Sequence, residues 1–216
     1  MSIIIDHTYK EYKERREKIG NDRYNGAYYY SKEIVENIIP YVKTDRNWIT
    51  IKAGELGADH SICFVHNNVN FETAYAYMRA YKDVIYVVGL PDMVQRASDF
   101  GKTIYLPLSI DVKYVQQFKT DKIKDRAFVG RRATRRTWHF PDDTDFIEGL
   151  PRDELLSRMA QYRRVFAIGR TAIEAKALDC DILPFHPRLP DPELWQVLDN
   201  RDASKILQKE LDKIDV

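Results

Sequence analysis

The sequence is poor in the features that assign a protein to an extracellular or membrane class. Only two of its 216 residues are cysteines, Cys63 and Cys180. Two cysteines within apolar segments are typical of reduced, buried thiols, with a single disulfide as the alternative. The apolar run near the N-terminus is three residues long, too short for a signal peptide, and no stretch approaches the roughly 20 apolar residues of a membrane span. We therefore expect a cytoplasmic protein without a membrane span.

An excess of charge of one sign is also missing. The sequence has 34 Lys and Arg and 33 Asp and Glu, which gives a formal net charge of +1. A charge this small directs the chain as a whole toward neither nucleic acid nor membrane, so only local patches can do so. The sequence also lacks a His, Cys and Glu cluster with metal-ligand spacing, a P-loop and a G-x-S-x-G motif. We predict no bound metal.

Alternation of short apolar runs with helical patterns is what the sequence does contain. This alternation predicts an α/β fold built on mostly parallel sheets. A chain of this length can form two small domains, and the polar segment 119–124 places the boundary between 1–119 and 120–216. The predicted strands are Ser2–Asp6, Asn47–Lys52, Ser61–Val65, Val84–Val88, Thr103–Leu108, Ala127–Val129, Thr137–Phe140, Val165–Ile168 and Ile182–Leu183. The predicted helices are Ala27–Ile39, Phe71–Tyr81, Pro91–Ser98, Asp111–Phe118, Arg152–Tyr162, Thr171–Leu178 and the tail from Glu193.

The segment Val165–Pro184 is the most informative part of the chain. It predicts a strand, a tight turn at Gly169, a helix and a second strand, which together form a βαβ unit. Parallel sheets bind ligands at the carboxyl ends of their strands, and the start of a helix favours phosphate. We therefore expect Gly169 and Arg170 at a phosphate site. The segment Thr171–Glu174 reads T-x-x-E, a capping box, while the Glu174 carboxylate is also suited to the two hydroxyls of a ribose.

Arginines cluster after Gly130, at positions 131, 132, 135 and 136. Guanidinium groups bind a diphosphate bidentately, so the cluster predicts diphosphate binding by at least one of them. Arg131 and Arg135 are our candidates. A solvated basic loop and an electrostatic contact with nucleic acid are the alternatives.

His66 follows a buried strand and is the candidate general base for an acceptor hydroxyl. A structural histidine in a turn is the other interpretation. Asn25 and Gly26 form a turn signal after the first strand, where an acceptor would enter.

Three segments together resemble the two-domain GT-B glycosyltransferases. They are GRTAIEAKAL at Gly169–Leu178, FVGR at Phe128–Arg131, and the strand, helix and strand of Val84–Asp111. The resemblance implies two Rossmann-like parallel-sheet domains, here reduced in size, that face each other across a cleft. It further implies an acceptor on the N-terminal side and a nucleotide-diphosphate sugar on the C-terminal side, bound by Gly130, Arg131, Arg135, Gly169, Arg170, Thr171 and Glu174.

The expected function is transfer of a sugar from a nucleotide-diphosphate donor to a glycan, a small molecule or a modified nucleic acid. The donor is a co-substrate, and no separate cofactor is expected. Many retaining members pair the ribose-binding glutamate with a second one that has no counterpart here, which favours a non-catalytic nucleotide- or sugar-binding protein as an alternative. A nucleic-acid-associated protein that uses the segment Arg131–Arg136, such as a phage DNA-modifying transferase, is the other alternative.

Overall fold

A computed structural model describes residues 4–6, 10, 13–14, 16–18, 23–51, 59–65, 83–186 and 191–214. The chain divides into two compact units. Unit 1 comprises Met1–Ile19, Ala27–Pro107 and Asn200–Val216, and unit 2 comprises Gly20–Gly26 and Leu108–Asp199. The sequence pattern placed a single boundary between 119 and 120. The structure instead assigns residues 108–119 to unit 2 and returns the tail to unit 1.

The described residues contain strands and helices that alternate along most of the chain. The strands are β1 (Ile4–Asp6), β2 (Asn47–Ile51), β3 (Ser61–Val65), β4 (Val84–Val88), β5 (Lys102–Tyr105), β6 (Lys124–Val129), β7 (Asp145–Ile147), β8 (Tyr162–Phe166) and β9 (Asp181–Leu183). The α-helices are α1 (Gly26–Glu33), α2 (Asp92–Ser98), α3 (Val112–Gln116), α4 (Arg132–Thr137), α5 (Arg152–Met159), α6 (Arg170–Ala177) and α7 (Asn200–Ile214). The predicted α/β class with parallel sheets is confirmed.

Unit 1 contains a parallel sheet in which the described strands lie in chain order, β1-β2-β3-β4-β5. All five residues of β3 are buried, as expected for a strand with both faces covered. Helix α1 continues through a π-helical turn, Ile34–Ile38, and a 3-10 turn, Ile39–Tyr41. Helix α7 packs on these two turns and on β5, and its buried face includes Ala203, Leu207 and Leu211.

Unit 2 contains a parallel sheet with the order β7-β6-β8-β9. Strand β6 pairs with both β7 and β8, so the chain moves to one side of β6 first and to the other side afterwards. The predicted βαβ unit is confirmed, because β8 and β9 are parallel neighbours joined by α6. This reversal of direction at β6 determines where the candidate site lies.

Local predictions failed around the aromatic cluster of unit 2. The predicted strand Thr137–Phe140 is wrong, since Thr137 ends α4 and Trp138–Phe140 is irregular. The Phe140 ring packs against Phe128 and Phe166 at centroid distances of 4.7 and 5.2 Å, so this segment covers the sheet rather than extending it. Strand β7 and helix α4 were not predicted, since β7 has only three residues and α4 is short and polar. The predicted helix Phe71–Tyr81 lies outside the described residues.

Within the described part of the chain, no helix is both long and apolar enough to cross a membrane.

Candidate functional site

Two turns that contain glycine lie at the carboxyl edge of the unit 2 sheet. Gly130 and Arg131 follow β6, and Gly169 follows β8 after two intervening residues. Strands β6 and β8 are parallel neighbours, with Phe128 opposite Phe166, so both turns lie at the same edge. The strand order reverses between them, which is the position at which open α/β sheets bind ligands.

The turn at Gly169 leaves space beside the first residue of α6. Gly169 is the N-cap residue and has φ +61° and ψ −140°, a conformation that is essentially restricted to glycine. Apart from its neighbours along the chain, none of the described residues has an atom within 4 Å of the position that a Cβ would take here. This space adjoins the first residue of α6, and the start of a helix carries the N–H groups and the partial positive charge that favour an anion.

The capping box predicted at Thr171–Glu174 is wrong. Helix α6 begins at Arg170, one residue before Thr171, and its N-cap Gly169 provides no side chain for a cap hydrogen bond. The Glu174 carboxylate cannot close the box because it is engaged by arginine side chains. Thr171 instead takes part in a hydrogen bond with the Tyr24 hydroxyl.

Glu174 is the centre of a buried polar cluster. Its side chain has no exposed surface. Its Oε1 atom accepts hydrogen bonds from Arg170 Nε and Arg152 Nη2, both at 3.1 Å, and its Oε2 atom accepts one from the Tyr24 hydroxyl at 2.9 Å. Both arginines are themselves buried. A ribose could hydrogen bond to Glu174 only if part of this cluster opened.

Tyr24 reaches this cluster from a segment far away in sequence. Its backbone N–H donates to the Leu150 carbonyl at 2.6 Å, and Arg23 forms a β-bridge with Pro151. Burial of the hydroxyl and the nearby Glu174 carboxylate raise the pKa of Tyr24 well above its usual value. The hydroxyl therefore stays protonated and donates to Glu174. Asn25 and Gly26, the predicted acceptor turn, follow directly on this segment.

The two arginines of the cluster are held at further points. Arg170 Nη1 donates to the Ser109 carbonyl at 3.3 Å, so the guanidinium bridges Glu174 and the beginning of the segment Leu108–Asp199. The Arg152 guanidinium lies 4.7 Å from the centre of the Tyr114 ring. The Arg170 side chain is thus directed into the protein. Only the backbone of Arg170 is left to contribute to an anion site at the Gly169 turn.

No family model, curated protein or solved structure matches the chain. Its function has to be inferred from the site itself.

The described arginine side chains at and after the N-cap of α4 are either exposed or paired. Arg131, the N-cap of this helix, and Arg136 are exposed. Arg135 is paired with Glu148 at 3.5 Å and lies 4.4 Å from the centre of the Phe146 ring. Among the described side chains of this segment, Arg131 is an exposed arginine that directly follows Gly130.

The structure brings some of the predicted site residues together, and it adds two residues that were not predicted. Arg170, Thr171 and Glu174 belong to the cluster, and the Gly130 and Gly169 turns share one edge. His66 lies outside the described residues. Sequence reasoning missed Tyr24 and Arg152, because they are 150 and 22 positions from Glu174 and no local pattern links them to it. Among the described residues, no group of His, Cys, Asp and Glu has the geometry to hold a metal ion.

Proposed function

We propose that this chain is a small GT-B-type glycosyltransferase that takes its sugar from a nucleotide-diphosphate donor. The donor's diphosphate binds at the carboxyl edge of the unit 2 sheet, between the turns at Gly130 and Gly169. The acceptor enters from the N-terminal half, with His66 as its general base. The supporting observation is the reversal of strand order between β6 and β8, with a glycine turn on each side of it.

The chemistry expected at this edge is stabilisation of the leaving diphosphate. The start of α6 provides N–H groups and a partial positive charge, and the exposed Arg131 provides a guanidinium that matches phosphate oxygens. Groups fixed before the reaction stabilise developing charge without having to reorganise. Catalysis would therefore depend mainly on positioning and on this charge stabilisation.

Glu174 has an organising role in this proposal. Its described hydrogen bonds keep it inside unit 2, so the donor is bound primarily through its diphosphate. A ribose contact by Glu174 would be an additional step that requires Tyr24 to move away.

A panel of nucleotides and nucleotide-sugars tests the proposal by thermal shift. A ligand present at 100 times its Kd should stabilise the protein by about 2.7 kcal/mol. Arg131→Ala should weaken binding roughly tenfold, as expected for the loss of a charged hydrogen bond. Arg136→Ala, which removes another exposed arginine of the same segment, is the matched control. Absence of a shift with every UDP, GDP, ADP and TDP compound would refute the proposal.

Sugar release or transfer from a bound donor then separates an enzyme from a binding protein on the same scaffold. Donor binding without release, across a panel of acceptors, would favour the non-catalytic alternative.

A nucleic-acid partner is the second candidate, and the exposed Arg131 and Arg136 favour it. The half-buried Trp138, whose ring lies 5.4 Å from that of His186, adds an aromatic surface beside them. Salt-dependent retention on DNA that is lost in the variant Arg131→Ala plus Arg136→Ala would support this candidate.

A further inference from the structure

We propose that Arg152 and Tyr24 are positioning residues of the diphosphate site. They hold Glu174, and through it Arg170, so that the turn at Gly169 keeps the conformation that presents the start of α6 to the diphosphate. This inference rests on the proposed function.

The physical connection runs through a short series of contacts. Arg152 and the Tyr24 hydroxyl bond to different oxygens of Glu174, which fixes the plane of the carboxylate. The Glu174 Oε1 atom then accepts from Arg170 Nε. Arg170 is the first residue of α6 and follows Gly169 directly. The position of the turn is therefore determined by a side-chain cluster behind it.

A glycine turn needs such an anchor. Gly169 lies at φ +61° and ψ −140°, but glycine has many other conformations open to it, and an unanchored turn would spread over them. Beyond its chain neighbours, no atom of the described residues lies within 4 Å of the position where its Cβ would be, so packing by those residues does not restrain the turn on that side. The restraint comes from the next residue, whose guanidinium is bound to Glu174 and to the Ser109 carbonyl.

Stability alone does not account for this cluster. Replacement of a buried ion pair by apolar residues of similar volume is often neutral or stabilising. What the cluster adds is geometry, since Arg152 and Arg170 each donate to Glu174 Oε1 from a planar guanidinium while Tyr24 donates to Oε2, and these directed bonds fix the orientation of the carboxylate. A lysine at position 152 would keep the charge and lose this control of direction.

Binding of inorganic pyrophosphate, and of the nucleoside diphosphate selected by the panel, tests the inference by calorimetry. Tyr24→Phe removes one oxygen atom and should keep the fold, while Arg152→Lys keeps the charge. We expect each variant to bind pyrophosphate and the nucleoside diphosphate roughly tenfold more weakly, as for one charged hydrogen bond. Affinity for the nucleoside without phosphates should stay unchanged.

Arg46→Lys is the matched control. Arg46 is a buried arginine of unit 1 whose Nη1 atom lies 3.1 Å from the Asp83 carboxylate. Its replacement by lysine should lower the free energy of unfolding because it also disturbs the pairing of a buried arginine with a carboxylate. The affinity for pyrophosphate should stay unchanged.

The outcomes separate the two proposals. If the unaltered chain and all variants bind neither pyrophosphate nor any nucleotide, both the proposed function and this inference are wrong. If the unaltered chain binds and both variants bind equally well, the inference alone is overturned. An equal loss of nucleoside and diphosphate affinity would also overturn it, because it would indicate general damage rather than control of the phosphate turn.

Discussion

Replacement of Glu174 by glutamine should destabilise unit 2 strongly. The amide has nearly the shape of the carboxylate but no charge, so the guanidinium groups of Arg152 and Arg170 would stay buried beside a neutral acceptor. Removing one partner of a buried ion pair costs about 3–5 kcal/mol. With a urea m-value of about 2 kcal/mol/M, a loss of about 4 kcal/mol lowers the unfolding midpoint by about 2 M.

Tryptophan fluorescence can follow this change in unit 2 alone. Trp195 is buried within unit 2 and Trp48 within unit 1, while the third tryptophan, Trp138, also belongs to unit 2. In a Trp48→Phe background, the fluorescence of the chain therefore reports on unit 2. Urea unfolding of this background with and without Glu174→Gln gives the difference in free energy of unfolding.

Glu154→Gln is the control for the same chemical change at an exposed position. Glu154 pairs with Arg158 at 2.7 Å, and both side chains are about half exposed. Such a pair contributes about 0.3–0.5 kcal/mol. Equal midpoints for the two glutamine variants would refute the reasoning, because they would mean that Glu174 compensates no buried charge. Adding Arg152→Met to Glu174→Gln should cost less than the sum of the two single changes.

Three further perturbations test other parts of the structure. Gly130→Ala would place a Cβ 2.6 Å from the Phe128 ring, so it should cost about 1–3 kcal/mol in urea unfolding, and Phe128→Leu should relieve that cost. The hydrogen bond to Asp83 raises the pKa of His60 above its usual 6.5. The stabilisation from this pair is therefore complete below pH 6.5 and is lost as the pH rises through the raised value. His60→Asn should remove this dependence from pH-resolved unfolding curves, and an unchanged slope would contradict the assignment. Burial raises the pKa of the Cys63 thiol, so iodoacetamide at pH 8 should label Cys63 far more slowly in the folded chain than in urea, and equal rates would contradict its burial.

Most of the regular structure could be predicted from the sequence because local patterns specify it. The apolar runs Ser61–Val65 and Val84–Val88 became β3 and β4 with the predicted bounds. The order strand, glycine turn, helix and strand around Gly169 was correctly predicted, although β8 begins three residues before the predicted strand Val165–Ile168 and ends at Phe166. Short elements were not predicted, because few residues contribute to their sequence pattern. Strand β7, for example, has three residues.

The side-chain cluster at the candidate site could not be predicted in the same way. Glu174 was singled out, but its partners Tyr24 and Arg152 come from segments that only the tertiary fold brings together. The T-x-x-E pattern also misled, since α6 begins one residue before Thr171 and the Glu174 carboxylate accepts from Arg152 and Arg170. The local sequence indicates whether a residue can cap a helix. It does not indicate which charged side chains, here those of Arg152 and Arg170, the tertiary fold places beside that residue.

The return of α7 to unit 1 has a consequence for the order in which the chain folds during synthesis. Domains generally fold as units while the chain emerges from the ribosome, and residues 108–199 of unit 2 are made before Asn200–Ile214. Unit 1 must wait for α7 to cover the π-helical turn Ile34–Ile38 and strand β5. Until then an apolar surface of unit 1 is open to solvent and to chaperones, although residues 27–107 of this unit are made before residues 108–199 of unit 2. Nascent chains arrested before and after α7 should therefore differ in protease resistance over residues 27–107.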